Sequence, residues 1–179
     1  MTGAIVLSPA QAHLEMSLWH VEAESIKTSD LYVWLSECGL PHEVTTRLHE
    51  LATYTKKVGS KVFAVGKVIL VKIIEFVKAH PKLVAGVGIG IAIGLAVNHL
   101  VSSIPYVGYL LAPLTTALAT TLGIVVFGIA GHRSDKRDQG KEIQNGIFGV
   151  AEDVVEVVVA FFQLIVDVFN VVFLNAITA

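Results

Sequence analysis

Charge is what this chain most conspicuously does without. From Leu83 to Gly131 it runs 49 residues with no Asp, Glu, Lys or Arg. A helix on the surface of a soluble protein needs a polar outer face, so an ordinary soluble surface helix is excluded over that length. As one helix the run would reach roughly 73 Å, more than twice the ~30 Å hydrocarbon core of a bilayer. Lys and Arg are also missing from residues 142–179. The one cysteine, Cys38, excludes an intramolecular disulfide and a cysteine-based metal site. No Asn-x-Ser/Thr acceptor occurs, and the seven histidines never fall into an HxxxH or HExxH spacing, so no zinc site is expected. Gly86, Gly88 and Gly90 lie in an apolar run without the lysine of a phosphate-binding loop. His99 has Ser102 and Ser103 nearby, but the uncharged run offers no carboxylate to orient it as a base. A non-enzymatic role without a cofactor is expected. The first residues, Met1 to Pro9, lack a basic segment ahead of a long apolar stretch and do not read as a cleavable secretory signal.

What is present is hydrophobic. Of the 179 residues 54% are hydrophobic and 16% charged, with a mean hydropathy of +0.69. Average soluble domains carry about 25% charged residues, so this is a membrane-class composition. The net charge of −2 hides strong segregation. Residues 1–42 carry −4, residues 43–82 carry +5, residues 132–141 carry +2 and residues 142–179 carry −5. Local blocks of this kind decide which segment meets an anionic surface.

Residues 1–57 read as a small helical interaction region able to recruit a protein partner. Thr28-Ser29-Asp30 can cap a helix over Leu31–Cys38, which stops at Gly39, and a second helix is expected from Glu43 to Lys57. The ten residues Leu31-Tyr32-Val33-Trp34-Leu35-Ser36-Glu37-Cys38-Gly39-Leu40 resemble a stretch of sterile-alpha-motif domains. That resemblance covers no more of the chain, and no role is carried over from it. The acidic charge of residues 1–42 opposes phosphate contact, so nucleic acid is not an expected partner.

Residues 58–80 read as a basic amphipathic helix. On a helical wheel Lys57, Lys61, Lys67, Lys72 and Lys78 fall within an arc of about 140°, opposite Val62, Val65, Ile69, Ile73 and Phe76. Lying in a membrane interface, such a helix would place Lys61, Lys67, Lys72 and Lys78 among lipid headgroups. The alternative is a helix packed on other helices with its lysines merely solvated. His80-Pro81 ends it.

The uncharged run breaks near Asn98–Pro105 and predicts a transmembrane helical hairpin over 83–131. Gly86, Gly90 and Gly94 recur every four residues in the first limb, and Gly108 and Ala112 begin a similar row in the second. Small residues at that spacing let helix backbones approach closely in lipid. The partner can be the other limb or a second copy of the chain. Pro113 is expected to kink the second limb, and Tyr106 and Tyr109 suit an interfacial aromatic belt. Lys78 and Lys82 precede the hairpin, and Arg133, Lys136, Arg137 and Lys141 follow it in a basic loop, 132–146. Both flanks are therefore expected on the cytoplasmic side, with the tip crossing. His80, His99 and His132 bracket the hairpin and invite a pH trigger.

Residues 147–179 predict a last amphipathic helix, long enough to span. Glu152, Glu156, Gln163, Asp167 and Asn170 fall within about 60° of its wheel, and nearly everything else is apolar. Three readings of that stripe stay open: pairing with the lysine row, lining a pore or polar cavity, or facing water. The expected whole is an all-α membrane protein, a Gly-rich transmembrane hairpin flanked by amphipathic helices with a small helical N-terminal region. Its layout resembles helical pore-forming proteins such as the colicin channel domains, which hold an uncharged hairpin among amphipathic helices. The expected function is a self-associating, homo-oligomeric protein that forms a pore in, or permeabilises, a lipid bilayer. The alternative is a membrane-anchored adaptor or membrane-shaping hairpin.

Overall fold

The computed structural model describes residues 7–122 and 147–174, with side chains described over 7–118 and 154–174. The described chain is almost entirely helical, in agreement with the expected all-α class. Helix α1, Pro9–Ser25, opens with a capping box. The Gln11 amide donates to the Ser8 hydroxyl oxygen at 3.3 Å, and the Ser8 N–H returns a bond to the Gln11 side chain at 3.0 Å. Pro9 stands at the first helical position, where its missing N–H costs nothing. Helix α2, Thr28–Glu37, starts three residues before its predicted bound and ends just ahead of Gly39.

Helix α3, His42–Leu51, stops six residues short of the predicted Lys57. The sequence reading ran a helix through this region, and the structure corrects it. Strand β1, Lys56–Val58, pairs antiparallel with strand β2, Lys61–Phe63, in the register Lys56↔Phe63, Lys57↔Val62 and Val58↔Lys61. Gly59, at φ +60°, makes the two-residue turn between them. Val58, Val62 and Phe63 are strand formers, and lysines alternating with them fit a two-residue period as well as a helical one.

Helix α4, Val65–Ala79, follows. The expected interfacial helix over 58–80 is therefore shorter, and it is placed in the middle of the protein rather than on its surface. Val65, Val68, Ile69, Leu70, Ile73 and Phe76 are fully enclosed. Gly66 makes this possible at the α4 entrance. Its N–H donates to the Tyr54 carbonyl at 3.1 Å, and any Cβ at this position would run into the Leu51 carbonyl oxygen.

The uncharged run forms α5, Pro81–Val87, α6, Ile89–Ser103, and α7, Pro105–Leu122. The break at Ile104-Pro105 falls where the sequence placed it. A second break was not expected. Gly88 takes φ +86° and ψ 145°, a region almost closed to other residues, and turns α5 against α6 by 104°. Helix α8, Ile147–Phe169, is the longest described element and continues as a π-helical turn, Asn170–Leu174. Helix α6 packs on both α7 and α8, α1 packs on α4 and α8, and α3 packs on α7 and α4. One contiguous core joins them all.

Candidate membrane-inserting elements

The apolar elements lie side by side. Ala92, Ile93, Ala96, Val97 and Leu100 of α6 are buried against Val107, Leu111 and Leu114 of α7 and Val158, Phe162 and Val166 of α8. Among the described residues one helical stretch, the 21-residue Val154–Leu174, is long and apolar enough to cross a bilayer, an 18-residue window of it having a mean hydropathy of 2.4. In this fold 44% of that window is buried, and the core helix of a soluble protein meets the same criterion. The α5–α6 pair passes only if its two bent pieces are counted as one span.

The glycine row is divided by the Gly88 turn. Gly90 and Gly94 are buried in α6, whereas Gly86 lies on α5, exposed, with nothing near the place a Cβ would occupy. The expectation of one face carrying Gly86, Gly90 and Gly94 is thus corrected, because a helix bent by 104° has no common face across its break. Gly108 is half-buried, and the Val101 carbonyl oxygen lies 3.6 Å from where its Cβ would stand. That is ordinary van der Waals spacing, with room for a methyl group between the two limbs of the hairpin. Ala112, one turn on, is exposed.

The lysine row does not exist as a surface. Lys61 is exposed on β2 and Lys78 is exposed at the end of α4. Lys67 is only 7% exposed, its stem covered by the core. Lys72 reaches α1, with Nζ 3.0 Å from Glu22 and 2.9 Å from Glu75, and lies 5.5 Å from the centre of the Trp19 ring. Neither Lys67 nor Lys72 therefore lies on an open surface in this fold. Both stand on a largely buried helix that packs on α1, α3, α5 and α6, and Lys72 ties that helix to α1.

Electrostatics at this tie are those of one cation between two acids. Burial works against the Lys72 charge, but its hydrogen bonds to Glu75 and Glu22 outweigh that and raise its pKa. Burial pushes the Glu75 carboxyl up, and the adjacent Glu22 adds to it. Glu22 is lowered, first by its hydrogen bond with Glu75 and then by Lys72. The carboxylate nearer solvent keeps the charge, and the more enclosed one holds a proton more readily.

The acidic stripe of α8 is turned outward. Glu156 and Gln163 are exposed, and the Gln163 amide donates to Asp167 Oδ1 at 2.8 Å on the same face. Asp167 is half-buried, while Asn170 Oδ1 is enclosed without a hydrogen-bond partner among the described residues. The Glu152 side chain lies outside the described residues. Lys72, engaged with Glu22 and Glu75, does not pair with this stripe.

Two clusters escaped the sequence reading. Lys56 Nζ sits 3.4 Å from the centre of the Tyr106 ring and 5.1 Å from that of Phe173, clamping β1, the start of α7 and the π-helical turn together. Tyr106 also donates to the Phe169 carbonyl at 3.3 Å. Beside it the Tyr109 hydroxyl donates to the Tyr54 hydroxyl at 3.3 Å. The aromatic residues expected in a membrane belt thus hold the hairpin to the β1–β2 turn. Their only sequence signal was the grouping of tyrosines near the hairpin break. Of the histidines proposed as a trigger, His80 stacks at 4.6 Å on Phe76. His99 Nε2 is enclosed without a hydrogen-bond partner among the described residues, beside a cavity of about 110 Å³ between α6 and α8. His132 and the rest of the basic loop 132–146 lie outside the described residues.

Set against protein-family models, curated proteins and solved structures, the chain matches none. Fold and site therefore define it as a helical protein with one span-capable helix among the described residues, and its function is argued from its own residues.

Proposed function

We propose that the chain is a self-associating membrane protein that permeabilises a bilayer by inserting its apolar hairpin and α8. The observation that carries this reading is contiguity. The three most apolar helices are contiguous, α6 packing on both α7 and α8, while the ion pairs seen among the described residues lie on α1, α3 and α4. They can enter lipid as one group and leave the charged helices at the surface. The basic flanks of the hairpin keep both of its ends on the cytoplasmic side, and the uncharged tip crosses. In lipid the hydrogen-bonded pair of Gln163 and Asp167 needs water or another copy of itself. Copies meeting through this face would enclose a polar path, with acidic walls favouring cations.

Dye release from liposomes and conductance across planar bilayers test the proposal. Leakage with discrete conductance steps is expected, and Asp167→Asn should lower cation preference without affecting the fold. Binding without leakage would overturn it in favour of the second reading, a membrane-anchored adaptor. That reading has its own observation. The α2–α3 pair is closed by Leu31, Leu35, Val44 and Leu48 yet leaves Tyr32 and Val33 exposed, at 38% and 53%, as a surface for a protein partner.

A further inference from the structure

Between the end of α3 and the middle of α7 lies a groove of about 390 Å³, within the roughly 300–1,000 Å³ of small-molecule sites. Its floor is apolar, with Leu51 and Leu114 buried beneath Leu110 and Pro113. Its rim is charged. Arg47 and Glu50 face each other at 3.0 Å, with their side chains still 46% and 56% exposed. The contact uses one guanidinium nitrogen, Nη1, and one carboxylate oxygen, Oε2. A guanidinium has five N–H donors and a carboxylate several acceptor positions, so both groups retain capacity toward the groove mouth. The Tyr54 ring completes the wall.

A cation and an anion side by side above an apolar floor select a particular chemistry. Free phosphate or an anionic lipid would gain Arg47 but meet Glu50, and a plain hydrocarbon would cover the ion pair without bonding to it. A zwitterionic headgroup satisfies both. Its phosphodiester takes the guanidinium fork, its ammonium lies against Glu50 and the Tyr54 face, and an acyl chain follows Leu110 and Leu114. We propose that this groove binds one zwitterionic phospholipid. The proposal rests on the membrane reading above and deepens it, because the groove lies on the seam where charged α3 must part from hairpin limb α7 for insertion.

The test titrates full-length protein, held in amphipol, with dihexanoylphosphatidylcholine below its micelle concentration, followed by calorimetry. Saturable one-to-one binding is expected. Phosphocholine alone, inorganic phosphate and dihexanoylphosphatidylglycerol should each bind about tenfold more weakly or worse. Arg47→Ala, which removes a charge-assisted hydrogen bond to the phosphate, and Glu50→Ala, which removes the carboxylate charge beside the quaternary ammonium, should each weaken the phosphatidylcholine by about tenfold, with unchanged circular dichroism. Arg47→Lys should recover part of that loss. Unsaturable uptake, equal binding of phosphate or of the anionic lipid, or full affinity in Arg47→Ala would overturn the site. Vesicle leakage measured in parallel separates the two ideas. Binding without leakage removes only the permeabilising function, and leakage without saturable binding removes only the groove.

Discussion

Helices α4 and α8 are both amphipathic and rich in valine, isoleucine and phenylalanine, yet they occupy opposite positions in the molecule. Helix α4 carries lysines and is the most enclosed element, while the more apolar α8 turns a polar stripe outward. The difference lies in what surrounds each polar group. Lys72 finds Glu22 on α1 and Glu75 on its own helix, so its charge can be withdrawn from water. Asp167 has Gln163 alone as its described hydrogen-bond partner, and the pair stays at the surface. Length separates them further. The 15 residues of α4 reach only about 22 Å, short of the ~30 Å of a hydrocarbon core. Partnered charge and short length make α4 a core helix, and long uncharged faces leave α8 able to span.

Truncating the centre of α4 should produce the largest effect. Phe76 is fully buried, its ring centre 5.2 Å from Phe161 and 5.6 Å from Phe162 of α8. Phe76→Ala should cost about 3–5 kcal/mol in thermal or denaturant unfolding; a loss below 1 kcal/mol would mean that the two helices do not share a core. A charge on α8 should act elsewhere. Leu164 is 45% exposed, so Leu164→Lys should change folding stability by less than about 0.5 kcal/mol. The same change should weaken bilayer partitioning by about 3–4 kcal/mol if α8 reaches mid-membrane. Vesicle co-sedimentation reads that difference, and equal partitioning of both proteins would place α8 outside the lipid.

Packing at the α4 entrance comes next. Gly66→Ala would drive a methyl group into the Leu51 carbonyl and should cost about 1–3 kcal/mol. An unchanged melting temperature would show that α3 and α4 are free to separate there.

The smallest effect belongs to the Lys72 tie, and its signature is pH dependence. Glu22, lowered in the fold, contributes stability that is present above its ordinary value of 4.5 and lost as pH falls through its depressed pKa. Glu75, raised by burial, costs stability while ionised, and that cost disappears as pH falls through its raised pKa above 4.5. Acidification from neutrality should therefore leave stability level or slightly higher, then lower it below 4.5. At the alkaline end the Lys72 contribution is complete below 10.5 and is lost as pH rises through its raised value. Lys72→Met should cost only about 1 kcal/mol near neutrality, because both carboxylates remain more than a third exposed. It should also flatten both limbs of the profile; an unaltered profile would show that the three groups titrate independently.

How much of this was readable in advance varies along the chain for physical reasons. The helical class, the break at Ile104-Pro105, the stop at His80-Pro81 and the starts of α2 and α3 within a few residues all follow from local chemistry. Caps, prolines and apolar periodicity act over four or five neighbours and need no tertiary partner. Residues 56–63 were misread because lysines alternating with valines fit a helix and a hairpin alike, and Gly59 decided between them through one backbone angle. The Gly88 bend was hidden for a similar reason. A glycine within a small-residue row looks like a packing surface until its φ is known.

The candidate site was legible as composition and not as arrangement. The uncharged run and the acidic stripe of α8 are properties of the one-dimensional pattern, since no neighbour can add charge to a segment that has none. Which lysines face outward is not such a property. Lys67 and Lys72 share a wheel face with Lys61 and Lys78, but Glu22, fifty residues before Lys72, draws Lys72 toward α1, and the core covers Lys67. Nor could the chain alone bring Lys56 over Tyr106, or Arg47 and Glu50 over the α7 groove. Sequence by itself determined the helical class, the apolar hairpin and the segregation of charge, because these are local sums over side chains. Only the tertiary structure decided that α4 is the core, that Gly86 stands apart from Gly90 and Gly94, and where each charge finds its partner, because those depend on residues far apart in the chain meeting in space.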